Sequence, residues 1–387
     1  MPATTVAPQR LDYVDCMRAI AALLVLILHA GELAVHTFRS TAFDSWALTP
    51  AFTFDFGRAG VLLFFALSGF VIPASLSNSS DRIRFPIRRF FRLYPAYWLS
   101  ILVSLIVGFW LNGTERSASQ VIANLSMLQI FMGYEDLEGL YWTLAVELVF
   151  YVVCYGLFLT GLIGRGGVLT GIALVLAAGW YFAVTARSGP FHGMHFLVPV
   201  FVSDRYVEWL AYFSIMFWSA ACRQIVDCKA TRLTTLVVVV LGVFWLAVLP
   251  LTGLAVYLAQ QHDAAIIKWA LMKYGAFALG LYAFVGFTFL IRIRSPALRY
   301  LGTISFSIYL FHPAIMRLLA GAHATLAPTL PVTPTLFVVI CALATIIFSA
   351  IVYRYVEAPA IAIGNMIADR VASHVETRMP LDRTRRA

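Results

Sequence analysis

The chain has 387 residues, 61% hydrophobic and only 12% charged, with a mean hydropathy of +0.84. That leaves too little polar surface for a soluble globule, and its repeated apolar runs of about 18 or more residues read as transmembrane helices. The net charge of +9 is distributed as membrane topology requires, so it excludes a nucleic-acid footprint.

The expected fold is all-α, with about ten spans near residues 16–36, 58–76, 94–111, 140–160, 167–186, 204–222, 233–251, 265–290, 300–320 and 335–356. Basic residues accumulate before the first span (Arg10, Arg18) and between the second and third (Arg82, Arg84, Arg88, Arg89, Arg92). They recur in the later even-numbered links and in the tail, whereas the odd-numbered links carry Asp44, Asp55, Glu115, Glu135, Asp136 and Glu138. By the positive-inside rule both termini are cytoplasmic and ten spans satisfy the alternation. Residues 1–364 then form one transmembrane domain and residues 365–387 a basic cytoplasmic tail. The cysteines Cys16, Cys154, Cys222, Cys228 and Cys341 fall in spans or on the cytoplasmic side, which leaves no exported disulfide.

The first span carries the strongest functional signal. Arg18 and His29 lie eleven residues apart, about three helical turns, so they share one face roughly 16 Å apart along the axis. One sits at the membrane edge and the other deep. Because ionisable groups inside a bilayer are expensive, the pair marks a polar route from the cytoplasmic surface to a buried imidazole. Glu32, one turn further, shares that face. The same two residues interrupt the apolar run, so this span is not read as a cleaved signal peptide.

Further along, Gly60, Ser68 and Gly69 give the second span small residues for close helix approach, with Ser68 free to bond backbone or ligand. The following segment, DRIRFPIRRFFRLYP, sets arginines at the cytoplasmic border. Their forked donors suit phosphate oxygens, although cytoplasmic loops carry arginine for topology and lipid contact alone. The long outer link from Asn112 to Gly139 reads as a functional loop or an interfacial helix. Its aromatics, with Tyr141 and Trp142 beyond, suit either sugar stacking or the bilayer interface.

In the fourth span Thr143, Glu147 and Tyr151 recur every four residues and form one face, with Glu147 roughly 10 Å below the outer surface, close in depth to His29. A buried carboxylate there needs a partner, either His29 or a substrate hydroxyl. Tyr309 and His312 in the ninth span are either site residues or an interhelical polar lock. His192 and His195 in an outer link lack the carboxylates or cysteines of a metal site.

The stretches LDYVDCMRAIAALLVLILH, GVLLFFALSGFVI, FPIRRFFRLYPAYW, LYWTLAVELVFY and ISFSIYLFHP, in that order, resemble the successive motifs of the acyltransferase type 3 family of integral membrane proteins. The resemblance covers most of the chain and departs mildly where Thr143 stands for the family's usual serine. It implies transfer of an acyl group, commonly acetyl from cytoplasmic acetyl-CoA, to a hydroxyl of a carbohydrate or glycoconjugate at a bacterial inner membrane. It also implies that His29, which with Arg18 matches the family's arginine-to-histidine motif, is catalytic, that Arg88, Arg89 and Arg92 hold the donor, and that Tyr309 and His312 match a site motif; Arg18 is read as a further donor contact. On this reading His29 is the general base, Glu147 a second catalytic group, and Ser68, Thr143, Tyr151, Tyr309 and His312 substrate contacts. The competing expectation is a transporter or flippase that uses the buried charges as a proton relay, against which stands the lack of an inverted repeat.

Overall fold

The computed structural model describes residues 11–38, 55–113, 115–188, 204–259, 264–326 and 332–378. Among these residues the secondary structure is entirely helical. In chain order the helices are α1 (Asp12–Thr37), α2 (Phe56–Val71), α3 (Asp81–Asn112), the short α4 (Ala118–Leu125), α5 (Tyr141–Leu159), α6 (Gly166–Ser188) and α7 (Asp204–Val226). Then come α8 (Arg232–Ala259), α9 (Ala264–Val285), the short α10 (Pro296–Thr303), α11 (Ser305–Leu326), α12 (Pro334–Val352) and α13 (Ala358–Arg378). Two π-helical turns, Gly286–Leu290 after α9 and Tyr353–Glu357 between α12 and α13, interrupt the regular ladder.

Six of these segments are long and apolar enough to cross a membrane: Asp12–Thr37, Phe56–Ser75, Asp81–Leu111, Tyr141–Leu159, Gly166–Thr185 and Pro334–Val375. The pair α10 and α11, bent by 68° at a short break, supplies a seventh if counted as one span. The chain is therefore a multi-pass membrane protein. Helices also occupy the expected spans at 204–222, 233–251 and 265–290. Of these, α7 is diluted by Glu208, Arg223 and several Tyr, Trp and Ser residues, while α8 and α9 qualify only as the shorter apolar stretches Arg232–Val248 and Tyr274–Leu290. The expected tail boundary at Asn365 falls inside α13.

The chain divides into two compact units: residues 1–67, 245–312 and 329–346 form one, and residues 68–244, 313–328 and 347–387 the other. In the first, α1 opens with Asp12 and Asp15 in its first turn, complementing the helix dipole. Asp55 caps α2 by accepting the Arg58 N–H at 2.8 Å and pairs with the Arg58 guanidinium at 2.6 Å. Small residues bring backbones together here. A Cβ on Gly60 would lie 2.5 Å from the Ala21 carbonyl oxygen of α1, and one on Gly302 would collide with the Asp15 carbonyl.

In the second unit α3 runs through Pro86 and Pro95 and stops at Gly113, whose φ of 59° is the left-handed cap that glycine adopts without strain. Three aromatic side chains of α3 hold the outer link: Tyr97 donates to the Asn124 carbonyl at 2.7 Å, Tyr94 to that of Ser126 at 3.0 Å and Trp98 to that of Leu125 at 3.0 Å. Buried Asn124 then ties down the acidic stretch, accepting the Leu137 N–H and donating to the Glu135 carbonyl, each at 3.0 Å. Tyr141, expected at the bilayer interface or against a sugar, is instead fully buried and bonded to Ser100 at 2.9 Å. A Cβ on Gly364 of α13 would lie 2.4 Å from that of Phe91, so α13 packs closely on α3.

Candidate active site

The first unit contains His29. Helix α1 is continuous from Asp12 to Thr37, so Arg18 and His29 do share one rod. Arg18 lies 3.7 Å from Asp15 one turn back. His29 is half-buried, and its Nδ1 lies 2.8 Å from Nε2 of His312, with the two rings nearly parallel at 17° and their centroids 5.1 Å apart. His312 is fully buried on α11.

Chemistry assigns the protons in this pair. The other His312 nitrogen, Nδ1, lies 2.9 Å from the Tyr309 carbonyl and 3.2 Å from that of Ile308. Carbonyl oxygens only accept, so His312 Nδ1 carries the hydrogen, and in a neutral ring Nε2 is then an acceptor. His29 Nδ1–H must donate to it. The lone pair of a neutral His29 is consequently on Nε2, the nitrogen turned toward α2. There the backbone is bare: a Cβ built on Gly57 would come within 3.9 Å of His29 Nε2. The expected site residue Tyr309 acts here through its carbonyl, while its ring packs edge-on against Phe64 at 5.8 Å.

The second unit contains Glu147. Tyr151, one turn along α5, donates to Glu147 Oε1 at 2.5 Å, and Ser68 donates to the same oxygen at 2.8 Å. The one-face spacing of Glu147 and Tyr151 thus becomes a direct hydrogen bond, and Ser68 is the partner the sequence did not supply. Thr143, expected as a substrate contact, is buried and donates to the Leu140 carbonyl at 2.8 Å in the first turn of α5.

The arginines of α3 divide by partner. Arg84 and Arg88 both reach Asp369 of α13, at 2.9 and 3.0 Å. Arg92 pairs at 3.1 Å with Glu357, which is 1% exposed and is delivered by the π-turn before α13. Arg89 lies over two rings, 5.3 Å from the centroid of Phe85 and 5.2 Å from that of Tyr151. Sequence reasoning missed Glu357 and Asp369. A lone carboxylate ending the last apolar run, in RYVEAP, was the available signal for the first. It also missed Arg317, whose guanidinium forks onto both carboxylate oxygens of buried Glu138, with Nη1 at 3.2 Å from Oε2. His192 and His195 lie outside the described residues.

A multi-pass helical membrane protein with a histidine pair on facing helices and an arginine-rich helix fits a defined class, and comparison with known proteins agrees. Residues 11–354 match the model of the acyltransferase type 3 family, described as an acyltransferase domain, and the chain belongs to that family. It is 29% identical over 202 residues to nodulation protein 10 of Rhizobium leguminosarum bv. viciae, covering 46% of this chain and 53% of that protein. It is 28% identical over 156 residues to the O-acetyl transferase of Shigella phage Sf6, covering 36% and 43% respectively. The chain thus spans about half the length of the curated relatives it matches.

Proposed function

We propose that this protein is an O-acyltransferase of the bacterial inner membrane, with ten spans and both ends cytoplasmic. It would move an acyl group, acetyl by the name of the phage relative, from cytoplasmic acyl-CoA to a hydroxyl of a carbohydrate or glycoconjugate. The observation that carries the reading is the 2.8 Å contact of His29 Nδ1 with His312 Nε2, whose ring is backed by the Tyr309 carbonyl; it assigns the Nδ1–H to that contact and leaves the Nε2 lone pair beside the bare backbone of Gly57.

The step balances with His29 as general base. The acceptor hydroxyl gives its proton to His29 Nε2 as its oxygen forms a bond to the thioester carbonyl carbon, the C–S bond breaks, and the departing thiolate takes the proton from the imidazolium. The CoA phosphates call for guanidinium forks, which the α3 motif offers; Arg18 on α1 offers another. In this reading Arg89 is the motif member whose guanidinium edge is least engaged, since Arg88 and Arg92 each contact a carboxylate. Glu147 contributes a hydrogen-bond acceptor for substrate.

Purified full-length protein in detergent, given radiolabelled acetyl-CoA and de-O-acylated surface polysaccharide of the source cells, tests the proposal. Label transferred to polysaccharide with stoichiometric release of CoA supports it. Binding or movement of a glycolipid with no consumption of acetyl-CoA would assign the protein to the carriers instead.

A further inference from the structure

We infer that Tyr151 is a positioning residue that joins Arg89 to Glu147 and so leaves the second carboxylate oxygen of Glu147 aimed at a substrate hydroxyl or amide N–H. The inference rests on the acyltransferase reading above and adds a division of labour within it.

Glu147 sits on an otherwise apolar helix, where a carboxylate without partners is strongly disfavoured. The geometry around it is lopsided. The Tyr151 and Ser68 hydroxyls both donate to Oε1, at 2.5 and 2.8 Å, and no described residue donates to Oε2. An ionised carboxyl group offers about four lone-pair positions. Two are used on one oxygen, so its orientation is set, while the other oxygen is left for a donor from outside the chain. A carboxylate serving only to lock two helices gains most when both oxygens are bonded, and this one is not arranged that way.

Tyr151 is itself held from the N-terminal part of α3. Its ring is 5% exposed, with Phe85 edge-on at 6.1 Å and the Arg89 guanidinium 5.2 Å from its centroid. The guanidinium sits between the inclined Phe85 and Tyr151 rings, a cation–π contact that leaves its N–H groups able to donate to phosphate oxygens. The contacts therefore run from Arg89 through the Tyr151 ring to its hydroxyl, then to Glu147 Oε1, with Ser68 closing the other side. Arg88 and Arg92 take no part in this chain, since they meet Asp369 and Glu357. The Arg89 guanidinium braces the ring, and a braced ring holds the carboxylate.

The chain makes a kinetic signature that a structural role would not. Tyr151→Phe keeps the ring for Arg89 and removes only the bond to Glu147, so kcat should fall about tenfold, the loss of one positioning hydrogen bond, with KM for acetyl-CoA unchanged. Arg89→Lys loses the flat fork and should raise KM for acetyl-CoA as well as lower kcat. In the Tyr151→Phe background, Arg89→Lys should still raise KM but lower kcat little further, because the link it acts through is gone. Glu147→Gln, which keeps an oxygen for Tyr151 and Ser68 but reverses the polarity at the second position, should melt near the wild-type temperature and lose most of kcat.

Steady-state kinetics of the wild type and the four variants, with melting temperatures alongside, decide the matter. The inference is overturned if Tyr151→Phe raises KM for acetyl-CoA with kcat intact, if the two substitutions multiply fully in kcat, or if Tyr151→Phe lowers only the melting temperature. A wild-type protein that transfers acetyl while Tyr151→Phe matches it sinks the positioning chain alone. A wild-type protein that consumes no acetyl-CoA sinks the acyltransferase reading first, and the chain with it.

Discussion

His312 Nε2 accepts the Nδ1–H of His29 at 2.8 Å, and the hydrogen on the far side of His312 is fixed by the Tyr309 and Ile308 carbonyls one turn back on α11. A backbone geometry on one helix thereby decides which nitrogen of a ring on another can take a proton.

Replacing His312 should therefore harm catalysis through tautomer and orientation. His312→Leu is expected to lower kcat on the order of a hundredfold, within the range of general-base catalysis, with little change in KM for acetyl-CoA. His312→Gln offers an amide oxygen near the former Nε2 and should recover part of the loss. The check is kcat of both variants beside wild type; equal loss from Leu and Gln would remove the tautomer argument.

Gly57 is the residue that leaves room at His29 Nε2. A Cβ there would meet the tip of Leu28 at 2.8 Å, a flexible contact that can yield, and would stand 3.9 Å from the imidazole nitrogen. Gly57→Ala should thus keep its melting temperature within about 2 °C, an effect below about 1 kcal/mol. Transfer to a polysaccharide acceptor should fall more than slow hydrolysis of acetyl-CoA by water, since the added methyl narrows the approach for the larger nucleophile. The ratio of the two rates in one preparation measures this.

Arg92 and Glu357 form a pair in which the carboxylate is buried and the arginine keeps 30% of its side-chain surface. Arg92→Ala leaves a buried acid without its cation and should destabilise the protein by about 2 kcal/mol or more. Glu357→Gln added to that variant removes the orphaned charge, so the double variant should melt higher than Arg92→Ala alone. Thermal unfolding in detergent gives the comparison.

Asp369 pairs with Arg84 and Arg88 through contacts that leave all three side chains partly exposed. Exposed pairs contribute roughly 1 kcal/mol or less, so Asp369→Asn should move the melting temperature little. If Arg88 serves the donor, KM for acetyl-CoA should drop, by at most about fivefold. Kinetics at two salt concentrations would show the gain shrinking as screening rises.

The pattern of apolar runs and arginine-bearing links made the helical, membrane-spanning fold legible, because a bilayer demands both and the chain has nowhere else to put them. Single-helix relationships were legible too. Arg18 and His29 share α1, and Glu147 and Tyr151 share one face of α5. What periodicity could not supply was the partner on another helix. Ser68 for Glu147, Glu357 for Arg92, Asp369 for Arg88 and Arg317 for Glu138 are separated in sequence by 79 to 281 residues or lie in motifs read for other purposes. His312 was singled out, but its bond to His29 depends on where two helices meet across 283 residues of chain. The outer link before α5 read as a functional loop or an interfacial helix, and the burial of its Glu138 under the fork of Arg317 was not legible there.

The most direct measurement is acetyl transfer by purified His29→Ala, checked for wild-type folding by its melting temperature and supplied with labelled acetyl-CoA and de-O-acylated polysaccharide. A loss of at least about a hundredfold in kcat, with acetyl-CoA still bound, is the expected result for a base whose Nε2 takes the acceptor proton. A stably folded His29→Ala protein that transfers acetyl at the wild-type rate would contradict it.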